Sequence, residues 1–175
     1  MKFRGRIRLL IAAALTFLGG VIYAQWPREP LPANTRADRV VVRKGERRLE
    51  LYRGATLLRT YAIALGRVPR GPKQQEGDGR TPEGHYVLDY RNPRSSYHKA
   101  LHVSYPSAAD TLAARNRGVS PGGLIMLHGV RNGLGFVGRL HRIFDWTDGC
   151  IAVTDAEIDE IWRSVTDGTS IEIQP

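Results

Sequence analysis

Short apolar runs, each cut off by turn residues before a helical period can develop, dominate this chain beyond residue 39 and commit it to a sheet. Val40, Val41 and Val42, then Leu49, Leu51 and Tyr52, then the stretch from Leu57 to Leu65 are separated by Lys44-Gly45-Glu46 and by Arg53-Gly54. Such separators predict hairpins. A polar, Gly-rich segment from Gly66 to Gly84 follows, after which Tyr86, Val87 and Leu88 resume the strand pattern. Leu101, Val103 and Tyr105 alternate as in a strand, Gly123 to Leu127 forms an apolar run ending directly at His128, and Ser170 to Ile173 closes the chain with a last alternation.

Helical signals are few. Ser107 opens and Gly118 closes a mixture of Ala, Leu and charges. Thr154-Asp155-Ala156-Glu157 forms a capping box ahead of Ile158, Ile161, Trp162 and Val165, and Asp167-Gly168 marks its expected end. The expected fold is therefore mostly β with one or two short helices (α+β), arranged as a sandwich or barrel.

A chain of 175 residues, 42% hydrophobic and 25% charged, suffices for one domain with a core plus a tail. The tail is at the front, where Lys2, Arg4, Arg6 and Arg8 precede an uncharged apolar run from Leu9 to Ala24. That form marks residues 1–24 as an export signal or an N-terminal membrane anchor, with the basic flank held on the cytoplasmic side. Pro27, Pro30 and Pro32 make residues 25–38 an expected linker, and residues 39–175 the expected folded domain, placed in the periplasm or cell envelope. Without residues 1–24 the charge falls from +9 to +5, moderately basic, which suits anionic wall polymers and excludes nucleic acid as the expected partner. Contact with the membrane is expected through the N-terminal segment only.

Cys150 is the sole cysteine, a lone thiol in an expected oxidising compartment, and therefore draws attention as a reactive group. Leu127-His128-Gly129 leads into a loop through Gly133, Gly135 and Gly138, and the loop ends in Asp145-Trp146-Thr147-Asp148-Gly149-Cys150. A strand delivering His128 and a turn delivering Cys150 can bring imidazole and thiol together, the arrangement a cysteine nucleophile needs. Gly149 leaves backbone space for a substrate carbonyl, with the N–H groups of Gly149 and Cys150 as expected oxyanion donors. A buried apolar Cys150 and a backbone-bonded His128 are the bland alternative.

His128-Gly129 followed by Thr147, Gly149 and Cys150, with Thr81-Pro82-Glu83-Gly84 upstream, resembles the L,D-transpeptidases over residues 39 to 174. That resemblance implies a peptidoglycan enzyme. Cys150 would attack the carbonyl at the L-centre of a stem-peptide diamino acid and expel D-alanine, with His128 as base and then acid and the Gly129 carbonyl orienting the imidazole. The acceptor would be a second stem peptide, a lipoprotein lysine or another amine; water in its place would make a carboxypeptidase or amidase, and loss of chemistry would leave a wall-binding module. No cofactor and no metal is implied. Asp148 departs from the family's common histidine, and its carboxylate should disfavour thiolate unless it points away or pairs with Arg139, His141 or Arg142.

Further expectations are weaker in kind. Thr147, Asp148, Arg139 and Trp146 are expected substrate-binding residues, with Arg142 beside them; Arg139 and Arg142 suit stem-peptide carboxylates, and Trp146 would otherwise lock the loop against the core. His98 and His102 have a four-residue spacing, but the strand alternation around them does not suit a helical zinc site.

Overall fold

The structure is a computed structural model that describes residues 15–16, 18–23, 25–26 and 28–175. The basic flank and much of the expected apolar run therefore lie outside the described residues. Among those described, no helix is long and apolar enough to cross a membrane.

Eight strands form one mixed sheet: β1 (Arg39–Arg43), β2 (Arg48–Arg53), β3 (Thr56–Ala62), β4 (Gly84–Asn92), β5 (Ala100–Val103), β6 (Met126–His128), β7 (Ile151–Ala152) and β8 (Thr169–Gln174). Their order is β3-β2-β1-β8-β4-β5-β6-β7. The first three strands are the expected hairpins, and β8 inserts between β1 and β4, parallel to β1 and antiparallel to β4. The sheet bends until its two edges meet. Ala64, just past β3, exchanges two backbone hydrogen bonds with Ala152 of β7, at 2.9 and 2.8 Å. This half-barrel removes much of the edge that an open sheet would expose.

Two helices complete the domain, α1 (Ala108–Asn116) and α2 (Asp155–Ser164). Both begin with a reciprocal capping box, Ser107 with Asp110 and Thr154 with Glu157. Ile158 and Ile161 of α2 are fully buried in the core beside Leu127, Ile151 and Val153, and each such side chain contributes about 1.5–3 kcal/mol. α2 stops at Ser164, short of the expected Asp167-Gly168, because Val165 turns extended and buries its side chain. Arg91 replaces the missing turn. Its guanidinium donates to the carbonyls of Trp162 (2.7 Å) and Val165 (2.6 Å), satisfying groups a helix end leaves open.

The proline-bearing stretch before β1 is extended but not free. Leu31 N donates to Glu160 Oε1 at 2.5 Å, Ala37 N donates to Ser164 O at 2.7 Å, and Thr35 and Ala37 are buried. The folded unit thus takes in part of the expected linker, which straps across α2.

Candidate active site

Strands β6 and β7 are parallel neighbours, with Leu127 opposite Ile151 and His128 opposite Ala152. Side chains alternate along a strand, so this register sets Cys150, one residue before β7, on the same face as Met126 and His128. Both His128 and Cys150 line one cavity of about 330 Å³ together with Tyr97, Met126, Trp146 and Asp148. Cysteine and histidine, separated by a long loop in sequence, are thereby brought to adjacent strands.

His128 is buried, and its Nδ1 lies 2.6 Å from the Gly129 carbonyl oxygen. A carbonyl only accepts, so Nδ1 carries the proton and Nε2 is left as the basic nitrogen. Burial holds the imidazole below its ordinary value, with the Gly129 carbonyl pulling the other way, so His128 is neutral at pH 7. The Cys150 thiol is pushed up, first by burial. The Met126 N–H, 3.4 Å from Sγ, and the charge of Lys73 favour the thiolate, while Asp148 opposes it. The resting pair is thus neutral thiol and neutral imidazole, which calls for proton transfer during attack.

The turn before the nucleophile is tightly built. Thr147 Oγ1 donates to the Cys150 carbonyl at 2.7 Å and accepts from Gly149 N at 3.2 Å. Thr147 is therefore a buried positioning residue, and the Gly149 N–H, expected as an oxyanion donor, is already engaged by it. The Cys150 N–H is the remaining candidate donor. Gly149 has φ +127°, and a Cβ there would stand 2.6 Å from the Arg80 carbonyl, so no other residue fits. Asp145 anchors the turn from behind, accepting from Leu65 N at 2.9 Å and pairing with Arg47 at 2.8 Å.

Asp148 is an exposed carboxylate paired with Arg67, not with Arg139, His141 or Arg142. Arg67 is set there by its own backbone, whose N–H donates to Thr147 O at 3.0 Å. Neither Arg139 nor Arg142 lines the cavity. Arg139 donates to Trp26 O at 2.8 Å, and Arg142 pairs with the buried Glu157, so both guanidinium groups expected to meet substrate carboxylates have partners within the protein.

Removal of the Asp148 charge has a readable consequence. In Asp148→Asn the like charge near Sγ is gone, and the pH midpoint for alkylation of Cys150 by iodoacetamide is expected to move down. An unmoved midpoint would show that Arg67 already cancels the carboxylate.

Aromatic rings wall the site. Tyr97 lies 4.7 Å from His128 and stacks at 5.9 Å on Trp146, whose ring meets His128 edge-on at 5.8 Å. Trp146 thus lines the cavity and braces its loop. Its Nε1 donates to His141 Nδ1 at 3.4 Å, which places the His141 proton on Nε2, a buried atom with no acceptor among the described residues. Burial, then Arg142, lowers His141 to about 4. An imidazole depressed on folding makes its full contribution to stability above its unfolded value, near 6.5, and loses it as pH falls toward about 4. A shift of that size corresponds to roughly 3 kcal/mol. Thermal melts between pH 7 and 4 are expected to fall less steeply for His141→Phe than for the wild type; parallel slopes would refute the assignment.

His98 and His102 serve separate partners, Asp159 at 2.9 Å and Asp89 at 2.6 Å, and His102 stacks on Tyr90 at 4.4 Å. They share no site.

The model of the L,D-transpeptidase catalytic domain (YkuD) matches residues 37–173, most of the chain. The chain belongs to this family. It is 34% identical over 129 residues to YafK of Escherichia coli (strain K12), an alignment covering 70% of this chain and 45% of that protein. Among solved structures, a K307A mutant of the helical cell shape determining protein Pgp2 from Campylobacter jejuni superposes with TM-score 0.58 and 25% identity, over 80% of this chain and 47% of that one. Bd1075 of Bdellovibrio bacteriovorus shares the fold at TM-score 0.53 and 22% identity, over 83% of this chain and 53% of that one. The chain spans about half the length of these relatives.

Tyr97 and Arg67 are among the site residues that the sequence did not point out. Tyr97 sits in the polar turn between β4 and β5, and Arg67 at the start of the Gly-rich segment, where nothing local distinguishes either from a solvated loop residue.

Proposed function

We propose that the domain is an exported cysteine acyltransferase acting on peptidoglycan stem peptides. The observation that carries this reading is the placement of Cys150 and a backbone-oriented His128 on one face of adjacent parallel strands, at a shared cavity, in a chain of this family. His128 Nε2 takes the thiol proton as Sγ attacks the carbonyl at the L-centre of the diamino acid. The Cys150 N–H faces the developing oxyanion, and the imidazolium returns its proton to the departing amine of D-alanine. An amine of a second stem peptide, or another amine such as a lipoprotein lysine, then gives its proton to His128 and resolves the thioester. Water in the same position would release a shortened peptide.

The test is to incubate the protein and its Cys150→Ala variant with tetrapeptide muropeptides and weigh the products. Dimers joined through two diamino acids, absent with the variant, are expected. Monomers lacking D-alanine would replace transfer by hydrolysis, and unchanged substrate with both proteins would sink the proposal.

A further inference from the structure

The loop between His128 and Cys150 carries a surface that the proposed chemistry does not use. Residues 135–143 form a 3₁₀ segment broken at Gly138, and around it Phe136 (72%), Ile143 (75%) and Phe144 (66%) stand exposed, with Leu134 beside them. Large apolar side chains exposed together on one surface loop of a folded domain mark a binding surface. Between Gly129 and Phe144 the sequence has Arg131, Arg139 and Arg142 but no acidic residue. Arg142 is consumed by Glu157, while Arg131 is exposed. Along the loop itself, exposed apolar groups interleaved with cations have the composition of a segment seated in an anionic lipid interface, the nearby carboxylates of Asp155, Glu157, Asp159 and Glu160 belonging to α2.

The N-terminal segment arrives at this same loop. Residues 18–23 are helical and expose Leu18, Val21, Ile22 and Tyr23, and Trp26 is exposed just after them. Gln25 Nε2 donates to Phe136 O at 2.5 Å, Arg139 donates to Trp26 O at 2.8 Å, and the Arg139 guanidinium lies 5.9 Å from the Tyr23 ring centre. Tyr and Trp at the end of an apolar helix are the residues that settle at headgroup depth. The chain leaving the apolar run is thus fastened to the loop, which has its own apolar side chains uncovered.

We propose that residues 133–144 form a second membrane contact, seating Phe136, Ile143 and Phe144 in the outer face of the bilayer next to the N-terminal segment, with Arg131 and Arg139 on anionic headgroups. This extends the expected membrane contact beyond the N-terminal segment, and it rests on that segment being membrane-inserted, not on the chemistry at Cys150. Phe144 stands two residues before Trp146, so the docked loop holds the cavity close to the bilayer, facing the wall material nearest the membrane.

The full chain carrying Cys150→Ala and one of Phe136→Cys, Ile143→Cys or Phe144→Cys, labelled with an environment-sensitive fluorophore, tests this in vesicles of phosphatidylethanolamine and phosphatidylglycerol. Leu112→Cys, on an exposed position of α1 (59%), is the reference. The loop labels are expected to shift to the blue, to lose quenching by aqueous iodide and to gain quenching by spin-labelled lipid, with a weaker response in vesicles of phosphatidylcholine alone. The Leu112 label should stay open to iodide. Flotation with the vesicles while loop labels remain as iodide-accessible as the reference would overturn loop docking and leave the N-terminal insertion standing. Failure to float would overturn both, and shielding that is the same without lipid would show self-association instead. Hydrogen exchange on the unlabelled chain supplies a second reading, with lipid-dependent protection expected across residues 133–144.

Discussion

Replacing His128 with glutamine is expected to slow acylation of Cys150 by stem peptide about a thousandfold, the scale on which a positioned general base contributes. The magnitude follows from the state of the pair. Burial keeps the thiol protonated and the imidazole neutral, so there is no standing thiolate to survive the loss of the base. Glutamine keeps a polar side chain able to donate to the Gly129 carbonyl, whereas it cannot accept the thiol proton at neutral pH. The pH dependence separates this role from a structural one. In the wild type the acid limb of the acylation rate should lie below the ordinary imidazole range, since the buried imidazole resists protonation. In His128→Gln that acid limb should vanish, and the residual rate should climb with pH as Cys150 ionises by itself. Rapid-mixing mass spectrometry of the acyl-enzyme, taken across pH, checks both; a variant that retains the wild-type acid limb would remove His128 from the reaction.

Much of this site was legible because its parts are local. The capping box at Thr154-Glu157 fixes where α2 begins, and the run ending at His128 and the turn ending at Cys150 announce a strand on either side of a loop. What escaped depends on partners far away in sequence. Arg91 closes α2 early from β4, Tyr97 covers His128 from the preceding turn, and Arg67 takes the carboxylate for which nearer cations were expected. Arg139 shows the same dependence: a guanidinium near a catalytic loop suits a substrate carboxylate, yet a residue far away in sequence, Trp26, supplies it with a carbonyl. Spacing says which residues can share a face of one element. It does not say which of several equivalent charges a distant segment will bring within reach.

Lys44 is the strongest case of such a hidden partner, and Lys44→Met is expected to destabilise the fold by about 3–5 kcal/mol. In a Lys44-Gly45-Glu46 turn the residue reads as solvated, but it is 1% exposed. Its ammonium donates to Gly71 O at 2.7 Å, Thr81 O at 2.8 Å and Glu83 Oε1 at 2.8 Å, so all three protons are used. Burial lowers its pKa and Glu83 opposes the shift, so the ion pair offsets a real desolvation cost. Methionine fills the space yet strands two carbonyls and a half-hidden carboxylate. The loss should reach the nucleophile, because these bonds hold the segment whose Thr81 Oγ1 accepts from Gly66 N at 3.2 Å. Gly66 in turn is packed so closely that a Cβ on it would stand 3.1 Å from the Gly149 Cα. Urea unfolding should show the stability loss, and alkylation of Cys150 in the folded variant should change in rate as the turn loosens. Adding Glu83→Leu to Lys44→Met should recover part of the stability by removing the stranded charge. If the double variant is as unstable as Lys44→Met alone, the carbonyls of Gly71 and Thr81, not the ion pair, are what Lys44 is there to satisfy.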